Sequence, residues 1–178
     1  MSVISYNGLV ELVERGVITD VMPDQINGAS IDVTLSDLFF VETAPIAERE
    51  TIVFAHRDNF CMAEVAGGVT LAPGAVALAA TRQKFFLPDN VSAEFKLKSS
   101  SARRFLEHMN AGWCDPWWHG SALTLELKNM LRFHSVKLSA GDSVGQVIFY
   151  SCDPVPRDRG YAVRGRYNND GTVTAVKP

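Results

Sequence analysis

VTLAPGAVALAATRQKFFLP, residues Val69 to Pro88, places a Pro-Gly pair between two apolar runs. Proline presets the turn backbone and glycine tolerates the conformation that follows, so Pro73-Gly74 predicts a turn between two strands. Working outward, ASIDVTLSDLFFVE (Ala29–Glu42) alternates apolar and polar residues from Ile31 to Leu35 and reads as a strand. SALTLELKN (Ser121–Asn129) and HSVKLSAGDSVGQVIFYS (His134–Ser151) continue the pattern, the latter around a Gly141-Asp142 turn. Closely spaced short strands with Gly and Pro punctuation predict a mainly β fold, a barrel or sandwich decorated with a few short helices. One helix is predicted over Leu9 to Arg15, with Gly16 as its stop. A second is predicted in SSSARRFLEHMN (Ser99–Asn110), with Ser100 or Ser101 at its N-cap. The polar tail from Pro154 carries more basic than acidic charge and is expected to be mobile until something binds it.

The 178 residues suit one domain, taken as 1–178 with a C-terminal lid at about 157–178. A net charge of −3 gives no bulk attraction to nucleic acid or an anionic membrane, so a phosphate partner needs a local cluster. No apolar run approaches the roughly 20 residues that span a bilayer. The N-terminus shows no basic start followed by an apolar core. Cys61, Cys114 and Cys152 are scattered, and neither CxxC nor histidine ligand spacing occurs. These features argue against a zinc site and favour a reducing cytoplasm.

Three segments bear chemistry. In KLKSSSARR (Lys96–Arg104), hydroxyls precede a helix start and Lys98, Arg103 and Arg104 add positive charge, a set suited to an anion and above all to phosphate. A plain capped helix with solvated cations fits the same residues. In NAGWCDPWWHG (Asn110–Gly120), Asp115 precedes Pro116 between two glycines, which predicts a sharply shaped loop; Asp115 could equally bond its own backbone in a turn. In LTLELKN (Leu123–Asn129), alternation puts the three leucines on one face and Thr124, Glu126 and Lys128 on the other, where a strand glutamate most often meets solvent. Trp113, Trp117 and Trp118 are more often core or interface than ligand platforms. Tyr161, Arg164, Arg166 and Tyr167 could close over a phosphate-bearing ligand or form a disordered basic end.

In this order the segments resemble the dCTP deaminase and dUTPase superfamily. INGASIDVTL resembles its early strand signature and LAATRQKFFLP its middle one; KSSSAR is similar to its Arg-Ser-Ser-Leu-Ala-Arg phosphate motif. AGWCDPWWHG resembles its aspartate loop, GQVIF its Gly-Gln strand and RYNNDG its C-terminal lid. The resemblance implies a dUTPase-like distorted jelly-roll or β-barrel subunit, and a homotrimer with active sites between subunits. It implies zinc-free hydrolytic deamination of dCTP to dUTP, with a pyrimidine deoxynucleoside triphosphate as substrate and Mg²⁺ carried on its phosphates. Glu126, in a Leu-Glu pair that plain dUTPases lack, would shuttle protons. Ser99 and the Ala111 carbonyl would hold the water. Lys98, Ser99, Ser100 and Arg103 would hold phosphates, with Tyr161 and Arg166 reaching from the tail. Asp115, beside the sugar, would activate water against the α-phosphate. Gly112, Trp113 and Gln146 complete the expected substrate contacts. Ala111-Gly112-Trp113 points to the bifunctional type that continues to dUMP and pyrophosphate, with Gly112 leaving room for a second water. A dUTPase without deaminase activity, or a non-catalytic nucleotide-binding regulator, would share the scaffold. Lys98 replaces an arginine of the family pattern, Trp117 a glycine, and the Asp115–Glu126 spacing is one residue longer. Without a bulge, that extra residue would turn Glu126 to the wrong face.

Overall fold

The computed structural model describes residues 1–44, 51–52 and 61–177. Among the described residues twelve strands and three short helices follow in order: β1 Ser2–Val3, α1 Tyr6–Glu14, β2 Ile31–Thr34, β3 Leu38–Glu42, β4 Met62–Ala66, β5 Gly68–Leu71, β6 Val76–Phe86, β7 Val91–Leu97, α2 Ser99–Ala102, β8 Leu106–His108, β9 Trp113–Cys114, β10 His119–Asn129, β11 Val136–Ser139, β12 Ser143–Ser151 and α3 Tyr161–Arg164. A single turn of 3-10 helix also occupies Pro23–Gln25.

The strands form two five-stranded sheets and a two-stranded ribbon, so the mainly β prediction holds as a layered, jelly-roll-like arrangement and not as one closed barrel. One sheet runs β1-β12-β7-β9, with β2 also on β12; the other runs β4-β3-β6-β10-β8; β5 pairs with β11. The pairings are antiparallel, which lets one face of each strand pack inward and the other face outward. Pro73-Gly74 turns the chain from β5 into β6, and Gly141 from β11 into β12, as the punctuation predicts. The helix predicted at Leu9–Arg15 is α1, which buries Leu9 and Leu12.

The core lies between the sheets. Ile31, Val33, Leu35, Phe39, Phe85, Leu125, Leu127, Val147 and Phe149 have no solvent exposure. Phe85 stacks on Trp118 at 5.3 Å between centroids, fastening the end of β6 to the loop before β10. Every second residue of β10 from Leu123 to Asn129 is buried. The three leucines therefore face the core and Glu126 takes the other face.

The second predicted helix is corrected. Only Ser99–Ala102 is helical, with Lys98 at the N-cap in place of either predicted serine. Phe105 then adopts φ +58, and Leu106-Glu107-His108 leaves as strand β8 against the far end of β10.

Candidate functional site

β10 carries the site. Its register against β6 shifts between His119 and Ser121, where two residues of β10 span one of β6. Gly120 sits in this bulge at φ +69, a left-handed backbone that glycine adopts without a Cβ penalty. A side chain there would also meet Asn169 Oδ1 at 2.5 Å. Two irregularities thus lie between Asp115 and Glu126, this bulge and a second register shift between Ala122 and Thr124, and Glu126 lines a cavity of about 370 Å³. Ala111 and Trp113 of the loop line the same cavity, with Tyr161, Tyr167 and Asp170 from the tail. Glu126, Ala111 and Trp113 thus line one cavity within a single chain.

Glu126 is 30% exposed through its side chain, yet its Oε2 is sealed from solvent. Oε2 lies 3.3 Å from Nε2 of His108, itself 4% exposed. The two atoms are out of line for a full hydrogen bond, and neither finds a hydrogen-bond partner among the described residues. His108 is held edge-on to Phe95 of β7, 4.7 Å between ring centroids. Sequence reasoning missed His108, because only the pairing of β8 with β10 brings it here.

Asp115 faces a second cavity. It is exposed and accepts a 2.9 Å hydrogen bond from Trp113 Nε1. Its cavity, about 320 Å³, is lined by Arg159, Arg164 and Tyr161, two of them cations beside a carboxylate. Tyr161 lines both cavities. Burial pushes the Tyr161 phenol above its ordinary range, with the nearby charges of Asp115 and others adding to the rise, so the hydroxyl keeps its proton and can donate. Arg159 was not singled out from sequence; the basic character of the tail was its only signal.

The helix residues stand elsewhere. Ser99, Ser100 and Arg103 are exposed and line neither cavity. Lys98 is paired with Asp32, whose other carboxylate oxygen accepts 2.9 Å from Asn27 Nδ2. Its ammonium is thus engaged inside the chain. Gln146, expected at substrate, accepts 2.7 Å from Ser30 Oγ and belongs to this same strut between β2 and β12. Arg166 is exposed and lines neither cavity. Gly112 has a structural reason for being small: a Cβ there would lie 2.8 Å from the Phe95 carbonyl oxygen. The space that a larger residue would fill belongs to β7.

Trp117, where the resembled pattern has glycine, takes φ +71. A left-handed backbone costs a non-glycine residue about 1–2 kcal/mol. The indole offsets this by donating 2.8 Å to the Val155 carbonyl and filling the space left by Gly160.

The tail, expected to be mobile, is seated on β10. Asn169 N donates to His119 O at 3.0 Å and Ala122 N to Asp170 O at 2.8 Å. Trp118 Nε1 donates 2.7 Å to Tyr167 O, and Val173 is 3% exposed against Ala80 and Ala122. The Asp170 charge is paired at 2.6 Å with Lys177 Nζ, so the acid does not stand bare in the Glu126 cavity. Among the described residues no helix is long and apolar enough to cross a membrane.

A family model described as dCTP deaminase-like matches residues 4–152, leaving the tail outside it. A "dCTP deaminase, dUMP-forming" of Methanosphaerula palustris is 37% identical over 136 residues, covering 74% of this chain and 70% of the relative. Another of the same name, from Methanospirillum hungatei, is 33% identical over 154 residues, covering 82% and 79%. The crystal structure of 2'-deoxycytidine 5'-triphosphate deaminase from Agrobacterium tumefaciens superposes with a TM-score of 0.66 at 21% identity, a likeness of fold. The match covers 85% of this chain and 48% of that one, so the present chain spans about half its length. By the family match over most of its length and by these relatives, the chain belongs to the dCTP deaminase-like family.

Proposed function

We propose that the chain hydrolyses dCTP to dUTP and ammonia without zinc. The observation that carries this reading is the placement of Glu126. It is a strand carboxylate with one oxygen sealed beside His108, and it lines a cavity shared with Ala111 and Trp113. In the reaction, water oxygen bonds to C4 of the cytosine ring and Glu126 takes a proton from that water. The carboxyl passes that proton to ring N3, then takes the remaining proton from the new C4 hydroxyl and delivers it to the departing amino group. The C4–N4 bond then breaks, ammonia leaves, and the ring becomes uracil. The Ala111 carbonyl holds the attacking water. The tail closes the cavity as a lid, excluding bulk water.

Ser99, Ser100 and Arg103 complete the phosphate site from a second copy of the chain. Two observations support this. These residues face solvent away from both cavities, and Phe105, Met130 and Phe133 expose apolar surface at 60%, 50% and 86%. A homotrimer with sites between subunits is the assembly proposed. Mg²⁺ enters on the triphosphate; among the described residues no group of three His, Cys, Asp or Glu could cage a metal ion. Continuation to dUMP is proposed at Asp115, whose cavity holds Arg159 and Arg164 for phosphate oxygens. There water attacks the α-phosphorus and pyrophosphate leaves.

The test is incubation with dCTP and Mg²⁺, with ammonia and pyrophosphate assayed separately. Ammonia with pyrophosphate is the expected result. Glu126→Gln abolishes ammonia release and leaves nucleotide binding by calorimetry intact. Pyrophosphate from dUTP with no ammonia from dCTP would mean a dUTPase, and binding without turnover a regulator. Deamination retained by Glu126→Gln refutes the role given to that residue.

A further inference from the structure

We propose that His108 is a positioning residue for Glu126: its Nε2–H holds carboxylate oxygen Oε2 and leaves the other oxygen free for water and base. The inference rests on the deaminase reading for its catalytic consequence, but its geometric core stands on the chain alone.

The two atoms are 3.3 Å apart and both are sealed from solvent. A buried polar atom without a partner costs about 1–3 kcal/mol, so two facing ones are retained where they serve each other. The side chain of Glu126 is nonetheless 30% exposed, and with Oε2 closed off that exposure belongs to the rest of the carboxyl and its stem. The carboxylate is therefore two-sided. Oε2 is sealed on the His108 side, while the residue lines both the cavity that holds Ala111 and Trp113 and a smaller one beside Met109 and Leu127.

His108 is itself fixed from three directions. Its backbone lies in β8, opposite Leu127 of β10. Its ring stands at 61° to Phe95 of β7. Its amide donates 3.1 Å to the Glu107 carboxylate. A ring locked by two strands fixes the carboxylate that rests on it, and a base held in one rotamer works at closer to full efficiency than one that swings. For Nε2 to donate, the neutral ring must carry its proton on Nε2 and not on Nδ1, a tautomer that can be observed directly.

Two variants separate positioning from packing. His108→Phe keeps the ring volume against Phe95 and removes the donor; His108→Gln offers an N–H at comparable reach. Ammonia release from dCTP should fall roughly 100-fold in kcat in His108→Phe with KM little changed, and His108→Gln should recover most of it. Wild-type kcat in His108→Phe, or a loss that appears in KM alone, overturns the proposal. So does a folded His108→Gln as slow as His108→Phe. Should either variant fail to fold, ¹⁵N NMR of the wild-type imidazoles decides. The His108 ring should show a protonated Nε2 whose resonance moves in Glu126→Gln. An unprotonated Nε2, or one indifferent to residue 126, overturns the proposal. Absence of any ammonia from wild-type protein would sink the deaminase reading, while the NMR result still decides the pairing.

Discussion

Gly112→Ala distinguishes two reasons for a small residue beside the aspartate loop. The resemblance suggests room for a second water; the packing suggests contact with β7. An added Cβ would lie 2.8 Å from the Phe95 carbonyl oxygen, 3.0 Å from its Cβ and 3.2 Å from its backbone nitrogen. Two of these three are backbone atoms of a paired strand and cannot swing aside. The Phe95 amide also donates 2.8 Å to the Gly112 carbonyl, so the loop cannot back away without stretching that bond. Restoring ordinary contact needs a displacement of about half an ångström or more, and overpacking of this kind costs about 1–3 kcal/mol. With a urea m-value of about 2 kcal/mol/M, the midpoint should drop by roughly 0.5–1.5 M. Unfolding is followed by far-UV circular dichroism at one fixed protein concentration, since an oligomer's apparent stability depends on it. Because Ala111 and Trp113 move with the loop, ammonia release should fall together with stability. An unchanged midpoint with selective loss of pyrophosphate release would refute the packing argument and restore the water.

Two other outcomes test the core and the thiols. Leu125→Ala, fully buried opposite Ala79, should destabilise by about 2–5 kcal/mol and show it as a lowered urea midpoint. Burial pushes the Cys114 thiol far above its ordinary range, so the folded chain keeps a proton that the unfolded chain releases as pH climbs past about 9. Its contribution to stability is therefore whole at neutral pH and declines on the alkaline side. At pH 8, iodoacetamide should label exposed Cys61 and spare Cys114, read by peptide mass spectrometry; rapid labelling of Cys114 in folded protein contradicts this.

What could be read from sequence was what is local. Pro73-Gly74 and the alternation of LTLELKN need only chain-neighbour sterics, and both held, including the face on which Glu126 stands. Leu106-Glu107-His108 failed because three residues carry too little periodicity to outweigh a serine-headed helix start. Its buried-exposed-buried pattern exists only because β10 offers an edge to pair with. The tail failed for a related reason. Its composition argues for disorder, yet Val173, Tyr167 and Asp170 find partners that belong to β10 and its flanking loop. Trp117 combines both effects: an indole at φ +71 reads as a misfit until Val155 and Gly160 arrive from residues roughly forty positions later.

The bulge at Gly120 therefore has consequences beyond its own turn. A strand has period two, so one residue inserted before Glu126 would exchange the carboxylate with Leu125 or Leu127, placing a charge in the core and a leucine in the cavity. Burying that charge unpaired would cost several kcal/mol, more than any one contact near the site could return. A second register shift follows between Ala122 and Thr124, and from Leu123 to Asn129 the alternation is regular, with the leucines buried and Glu126 off the core face. The tail locks the same spot, since Asn169 crosses over Gly120 while its amide bonds His119. The Gly120 bulge and the tail thus meet at the head of the strand that carries Glu126, and that contact ties the strand to the segment that covers it.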